Sequence, residues 1–146
     1  MRKLLIGGLV AAFAVPAMAQ DEFPMVGRWA FFEYGARNVS SGAVADACRD
    51  SWDSFGPDGA LLSFSRNDAN AIQIDLAGFC EIVDGSTISC TYLLDDTGPI
   101  NEVYTDEYTW VNDDIIDYAV YGADGKLDRE TSWTYLRCPP GIQSFR

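Results

Sequence analysis

The chain has 146 residues, 22 Asp and Glu against 10 Lys and Arg, four Cys and no His, for a formal net charge of −12. Phosphates need a basic surface, so this charge argues against a nucleic-acid partner, and it disfavours adhesion to anionic lipid headgroups. The absence of His removes Ser-His and Cys-His catalysis and the usual zinc and copper ligand sets.

At the amino end, Arg2 and Lys3 precede an uncharged stretch from Leu4 to Val15, then Pro16 and Ala17-Met18-Ala19. That order is the charged, apolar and small-residue pattern of a secretory signal, with cleavage expected after Ala19. The 12 residues from Leu4 to Val15 are too few for a membrane span of about 17 to 25 residues. Cleavage takes away two of the 10 basic residues and none of the 22 acidic ones, so 8 minus 22 leaves a mature charge of −14. A periplasmic or secreted location follows, with no membrane association after cleavage. The expected organisation is a signal peptide over 1–19, an amino-terminal tail over 20–26, one β domain over 27–138 and a carboxyl-terminal tail over 139–146.

The mature chain is rich in strand-favouring residues, and turn sequences punctuate it: Gly56-Pro57-Asp58-Gly59, Asn67-Asp68, Asp84-Gly85-Ser86, Thr97-Gly98-Pro99, Asn112-Asp113 and Ala123-Asp124-Gly125. Period-2 alternation between them predicts strands near Gly27 to Tyr34, Ser51 to Phe55, Ala60 to Ser65, Ala71 to Val83, Thr87 to Asp95, Glu102 to Val111, Ile115 to Tyr121 and Leu127 to Cys138. Eight strands in an antiparallel meander make an all-β closed barrel or a curved sheet. The interval from Gly35 to Asp50 is too long for a hairpin and accommodates a short helical turn around Val44 to Arg49. In the last strand, Asp128, Glu130, Ser132 and Thr134 share a face that should meet water. Leu127, Arg129, Thr131, Trp133, Tyr135 and Arg137 share the other, where each arginine must find a partner or reach an edge.

Four Cys in an exported chain imply two disulfides. If the Asp84-Gly85-Ser86 loop is centred on Gly85, Cys80 lies opposite Cys90, Ile82 opposite Ile88 and Leu76 opposite Leu94, so one face is apolar and the two cysteines are within bonding range. Elimination pairs Cys48 with Cys138. On the loop-entropy model the short bridge contributes roughly 3 kcal/mol and the long one about 4.5 kcal/mol.

Gly27-Arg28-Trp29 opens the first strand, Thr105-Asp106-Glu107-Tyr108 lies late in the chain, and Arg137 sits on the last strand. In that order they resemble the motifs of the lipocalin-like, or calycin, barrels: G-x-W, a T-D-Y element with one residue inserted, and a terminal-strand arginine. The resemblance implies that Trp29 closes the base of a barrel, that Arg137 packs across it and that Gly27 permits the close approach. Two departures stand out. Pro139 and Pro140 occupy the place of the family's carboxyl-terminal helix, and Thr105-Asp106 falls within a strand rather than a loop.

Asp95-Asp96, Asp113-Asp114 with Asp117, and Asp124 with Asp128 and Glu130 are acidic clusters of the kind found at hairpin turns, and the full calcium-loop spacing is missing, so no metal is expected. Asp106 shares a face with Tyr104, Tyr108 and Trp110, which would place a carboxylate in an aromatic interior, neutralised by Arg129 or hydrogen-bonded to tyrosines. With no recognisable catalytic constellation, the chain reads as non-catalytic and without a cofactor. The leading expectation is a barrel that binds a small apolar or aromatic ligand through Tyr104, Asp106, Tyr108, Trp110, Tyr118 and Trp133. Gly78 and Ala119 would leave space for it, and the Gly35 to Asp50 loop would serve as a lid. The alternative is an interaction or inhibitor module for a cationic, exported protein.

Overall fold

A computed structural model describes residues 23–141; the segment read as a signal peptide, residues 20–22 and the last five residues lie outside the described residues. Eight strands form a closed antiparallel barrel in which each strand pairs with the next and β8 returns to β1. They are β1 Gly27–Glu33, β2 Ser51–Phe55, β3 Ala60–Arg66, β4 Ile72–Ile82, β5 Thr87–Asp95, β6 Gly98–Asn112, β7 Ile115–Ala119 and β8 Trp133–Arg137. Closure removes the sheet edges that an open meander would leave unpaired.

One helix, α1 Ser41–Asp50, interrupts the meander between β1 and β2. Its Ala-rich sequence favours helix, and Ser40 caps it by accepting a bond from the Ala43 amide at 3.2 Å. Its buried residues Val44 and Cys48 pack with Ala30 and Leu136. These two are the outward neighbours of Trp29 and Tyr135, so α1 lies on the outer wall over β1 and β8. The loop that the sequence suggested as a lid is therefore a buttress. Cys48 bonds Cys138 across this contact, with Cα atoms 5.8 Å apart.

Cys80 and Cys90 are also bonded and directly opposed, as are Ile82 and Ile88. The expected pairing of Leu76 with Leu94 is displaced by one residue. A bulge beyond Gly78 sets Leu76 opposite Asp95 and Ala77 opposite Leu94, which is how a strongly curved strand stays in a closed wall. A Cβ on Gly78 would sit 2.6 Å from the Thr91 carbonyl, and the Tyr92 ring covers the position. Gly78 thus permits the bend and leaves no space for a ligand, while Ala119, opposite Glu107, faces outward.

The last strand is shorter than its alternation suggested, because residues 122–132 form an irregular connection that carries Arg129 at the exposed surface. Ser132 and Thr134, expected in water, are buried. Ser132 Oγ accepts a bond from the Val120 amide at 2.9 Å. Thr134 donates to Asp117 at 2.7 Å and accepts from the Gly35 amide at 2.9 Å, and Arg37 closes over the group with a bidentate pair to Asp117. The 34–40 segment supplies this cover, so the outer face of β8 has polar residues without being wet.

Candidate functional site

The two ends of the barrel are built differently. At the end where β1 begins, Trp29 and Met25 have no solvent exposure. Trp29 Nε1 donates to the Met25 carbonyl at 2.7 Å, and Trp110 meets the indole edge-on at 6.0 Å. The Arg137 guanidinium lies 4.2 Å from the centre of the Trp29 ring and donates to the Val26 carbonyl at 2.9 Å and to the Asp113 carbonyl at 3.0 and 3.1 Å. Gly27 has a φ of +124°, and a Cβ there would meet Arg137 at 2.9 Å. Phe23 stacks on Phe55 at 5.7 Å. The segment read as an amino-terminal tail is therefore, from Phe23 onward, part of the plug that seals the base.

The opposite end is less tightly sealed. Directly opposed residues share a face, so the pairings of Phe31 with Tyr135 and of Cys90 with Tyr104 turn both Phe31 and Tyr104 inward. Both remain about half exposed, at 43% and 46%. Inward-facing rings that water still reaches define a mouth.

Below that rim lie two carboxylate–tyrosine pairs. Tyr135 donates to Asp53 at 2.5 Å, both groups being buried. Tyr118 donates to Asp106, stacks on Trp133 at 5.1 Å and meets Tyr135 edge-on at 6.1 Å. Tyr92 packs on Tyr104 at 5.3 Å, and Tyr104 donates to Glu102. Burial pushes the Asp53 carboxyl up, opposed in part by bonds from Ser63 and Tyr135 and reinforced by the charge of Asp75. Burial likewise raises Tyr118 and Tyr135, and pushes the Tyr92 hydroxyl up to about 12. The phenols therefore hold their protons and act as donors to the carboxylates.

Of the six ligand residues expected from sequence, the structure brings Tyr104, Asp106, Tyr118 and Trp133 together at this mouth. Tyr108 and Trp110 share their face but lie farther toward the base. There the Tyr108 amide bonds the Ser86 carbonyl and Trp110 supports Trp29. Asp106 takes its bond from a tyrosine rather than from Arg129. Asp53, Tyr92 and Tyr135 belong to the cluster and were not singled out. In Ser51-Trp52-Asp53-Ser54-Phe55 either alternate set contains a large aromatic ring, so pattern alone did not say which one pointed inward. Trp52 points outward, held by Phe64 at 5.1 Å and beneath the Arg28 guanidinium at 4.2 Å.

Outside the barrel, a groove of about 410 Å³ runs between the 37–44 segment and the ends of β7 and β8, with Val39, Val44, Ile115, Leu136 and Pro140 among its walls. Its two arginines are already engaged, Arg37 by Asp117 and Arg137 by Trp29 and backbone carbonyls. Among the described residues no group of Cys, Asp and Glu is arranged to hold a metal ion, and no helix is long and apolar enough to cross a membrane. The two disulfides fit a non-cytoplasmic, oxidising compartment. No protein-family model matches the chain, and no curated protein matches it significantly.

Proposed function

We propose that this is an exported, periplasmic or secreted, non-catalytic binding barrel that receives a small, partly aromatic molecule through its open end. The half-exposed, inward-facing Phe31 and Tyr104 carry this reading. A barrel of eight strands holds at most one small ligand beside its own side chains, and ligand sites combine apolar walls with a few polar groups. The mouth meets both conditions with Tyr92, Tyr104, Tyr118 and Trp133 as walls and Asp106 as the polar group. Kinship with lipocalin-like barrels is part of the proposal, supported by the stacking of Arg137 on Trp29.

The test is titration of the mature protein with a panel of apolar and aromatic dyes, following tryptophan fluorescence. Trp133 is the indole nearest the cluster, so saturable quenching should occur and should diminish in Trp133→Phe. If no compound saturates the signal, the reading fails.

A second reading, an interaction module for another exported protein, is favoured by the outer face of β3 to β6. There Leu62, Ile74, Phe79, Leu94 and Val103 are exposed on neighbouring strands, and contiguous exposed apolar surface of this kind marks interaction sites. A cationic partner would be retained at low salt and released as salt rises.

A further inference from the structure

The mouth has a consistent charge as well as a shape. Following the pairings around the wall, the inward positions include Glu33 opposite Trp133 and Glu102 opposite Tyr92, with Asp106 opposite Ile88 below them and Asp53, which pairs with both Trp29 and Ser63, deeper still. Asp75 is close enough to Asp53 to act on it electrostatically. None of these inward positions is Lys or Arg. The described cations are spent elsewhere: Arg28 on Trp52, Arg37 on Asp117, Arg49 on Asp46, Arg66 on backbone carbonyls, Lys126 on Asp124 and Arg137 on the base. Arg129 stands in the exposed 122–132 connection. Among the described residues Glu33, Asp75, Glu102 and Asp106 make no ion pair, although four ion pairs form elsewhere on the surface.

The aromatic groups point the same way. Tyr92, Tyr104, Tyr118 and Trp133 form a connected set of rings beside Asp106, linked by the Tyr92–Tyr104 and Tyr118–Trp133 contacts, by the hydroxyl interaction between Tyr92 and Tyr118, and by the Tyr118 bond to the carboxylate. Ring faces carry negative potential and attract cations. A carboxylate among such faces is complementary to a positively charged group. A neutral guest would lower the local polarity around Asp106 without supplying a counter-charge, and an anionic guest would be repelled.

We infer that the ligand is an aromatic amine, whose protonated nitrogen pairs with Asp106 while its ring packs among Tyr92, Tyr104, Tyr118 and Trp133. This rests on the binding-barrel reading and narrows it to one charge class. Asp106 is suited to the role because it is part-exposed and held by one tyrosine hydroxyl, whereas Asp53 lies deeper, buried with Tyr135. Glu33 and Glu102 at the rim would draw such a cation in.

Calorimetry on the mature, oxidised protein with three probes of one shape provides the test: naphthylethylamine, naphthylethanol and naphthylacetate. The amine should bind about tenfold more tightly than the alcohol, a difference of about 1.4 kcal/mol, and the acetate most weakly. Asp106→Asn should bring the amine down to the affinity of the alcohol and leave the alcohol unchanged. If that variant does not fold, Asp106→Ser takes its place, and the wild-type ratio of amine to alcohol remains decisive. Equal affinity for amine and alcohol would overturn the charge assignment while leaving a binding barrel. An amine preference that survives in the Asp106 variant and disappears at about 0.5 M salt would assign it to the diffuse net charge, and so would also overturn it. Failure of all three probes to bind would remove the binding reading itself.

Discussion

The base and the mouth of this barrel are made from the same kinds of residue put to opposite uses. At the base, Trp29, Met25, Phe23 and Phe55 exclude water, and the Arg137 guanidinium is ion-paired with Asp114, hydrogen-bonded to carbonyls and stacked on a ring. At the mouth, rings of similar size stay half wet, and carboxylates are answered by phenols instead of cations. A folded protein gains little from partly exposed rings and loses stability by burying Asp53. The difference teaches that the base holds the barrel together, while the mouth is maintained at some cost to stability, as binding surfaces commonly are.

Substitutions should separate the two ends by magnitude. Trp29→Ala removes a fully buried indole and its bond to Met25, and should cost about 5 kcal/mol in denaturant unfolding, the upper end for an aromatic truncation. Paired replacement of Cys80 and Cys90 by Ser should cost roughly 3 kcal/mol through the unfolded chain, with a lower melting temperature as the readout. Arg137→Ala should lose about 0.5 to 2 kcal/mol of stacking as well as packing, and Arg137→Lys should restore only part of it because the ammonium lacks a planar face. An Arg137→Ala protein as stable as the wild type would mean that the plug needs no stacked guanidinium.

The mouth substitutions are smaller and differ in kind. Burial raises the Asp53 carboxyl in the folded state, so the unfolded chain releases this proton at a lower pH than the folded one does. Stability from this group is therefore highest below the unfolded carboxylate value of about 3.9 and falls as pH rises toward the folded value. Comparing wild type with Asp53→Asn across that window isolates the effect from the general charge of the surface, and the variant should have the flatter profile. Identical slopes would show that Asp53 ionises without penalty. The smallest effect is expected for Tyr104→Ala, which should leave the melting temperature within error of wild type while weakening dye binding.

The strand order was legible because each hairpin announced itself locally. Asp84-Gly85-Ser86 set the Cys80–Cys90 register, and that bridge left Cys48 and Cys138 as the remaining pair. Legibility ended where the chain stopped alternating in step with the wall. The bulge beyond Gly78 shifted Leu76 by one partner, and the 34–40 segment covered Thr134, whose polarity had suggested water. The aromatic cluster was legible in part for the same reason. Tyr104, Asp106 and Tyr118 fall on unbroken alternation within β6 and β7. Asp53 lies in a strand of five residues with aromatic rings on both faces, and Tyr92 stands beside a bulge. Periodicity also says which face a residue occupies but not how far along the barrel it lies, which is why Tyr108 and Trp110 were grouped with residues nearer the mouth.

The antiparallel return of β8 onto β1 places Gly27 near Arg137 at the sealed base, since Trp29 pairs directly with Arg137. Seen as a wall, the barrel has no privileged beginning: every strand neighbours two others, and the break between the last and the first is a gap in the covalent chain rather than in the sheet. A short linker across the base with a new opening in the 67–70 turn would therefore preserve every pairing and both disulfides, as circular permutation at exposed turns commonly allows. Such a rearranged chain would keep the plug at one pole and the half-exposed rings at the other, with its new termini beside those rings.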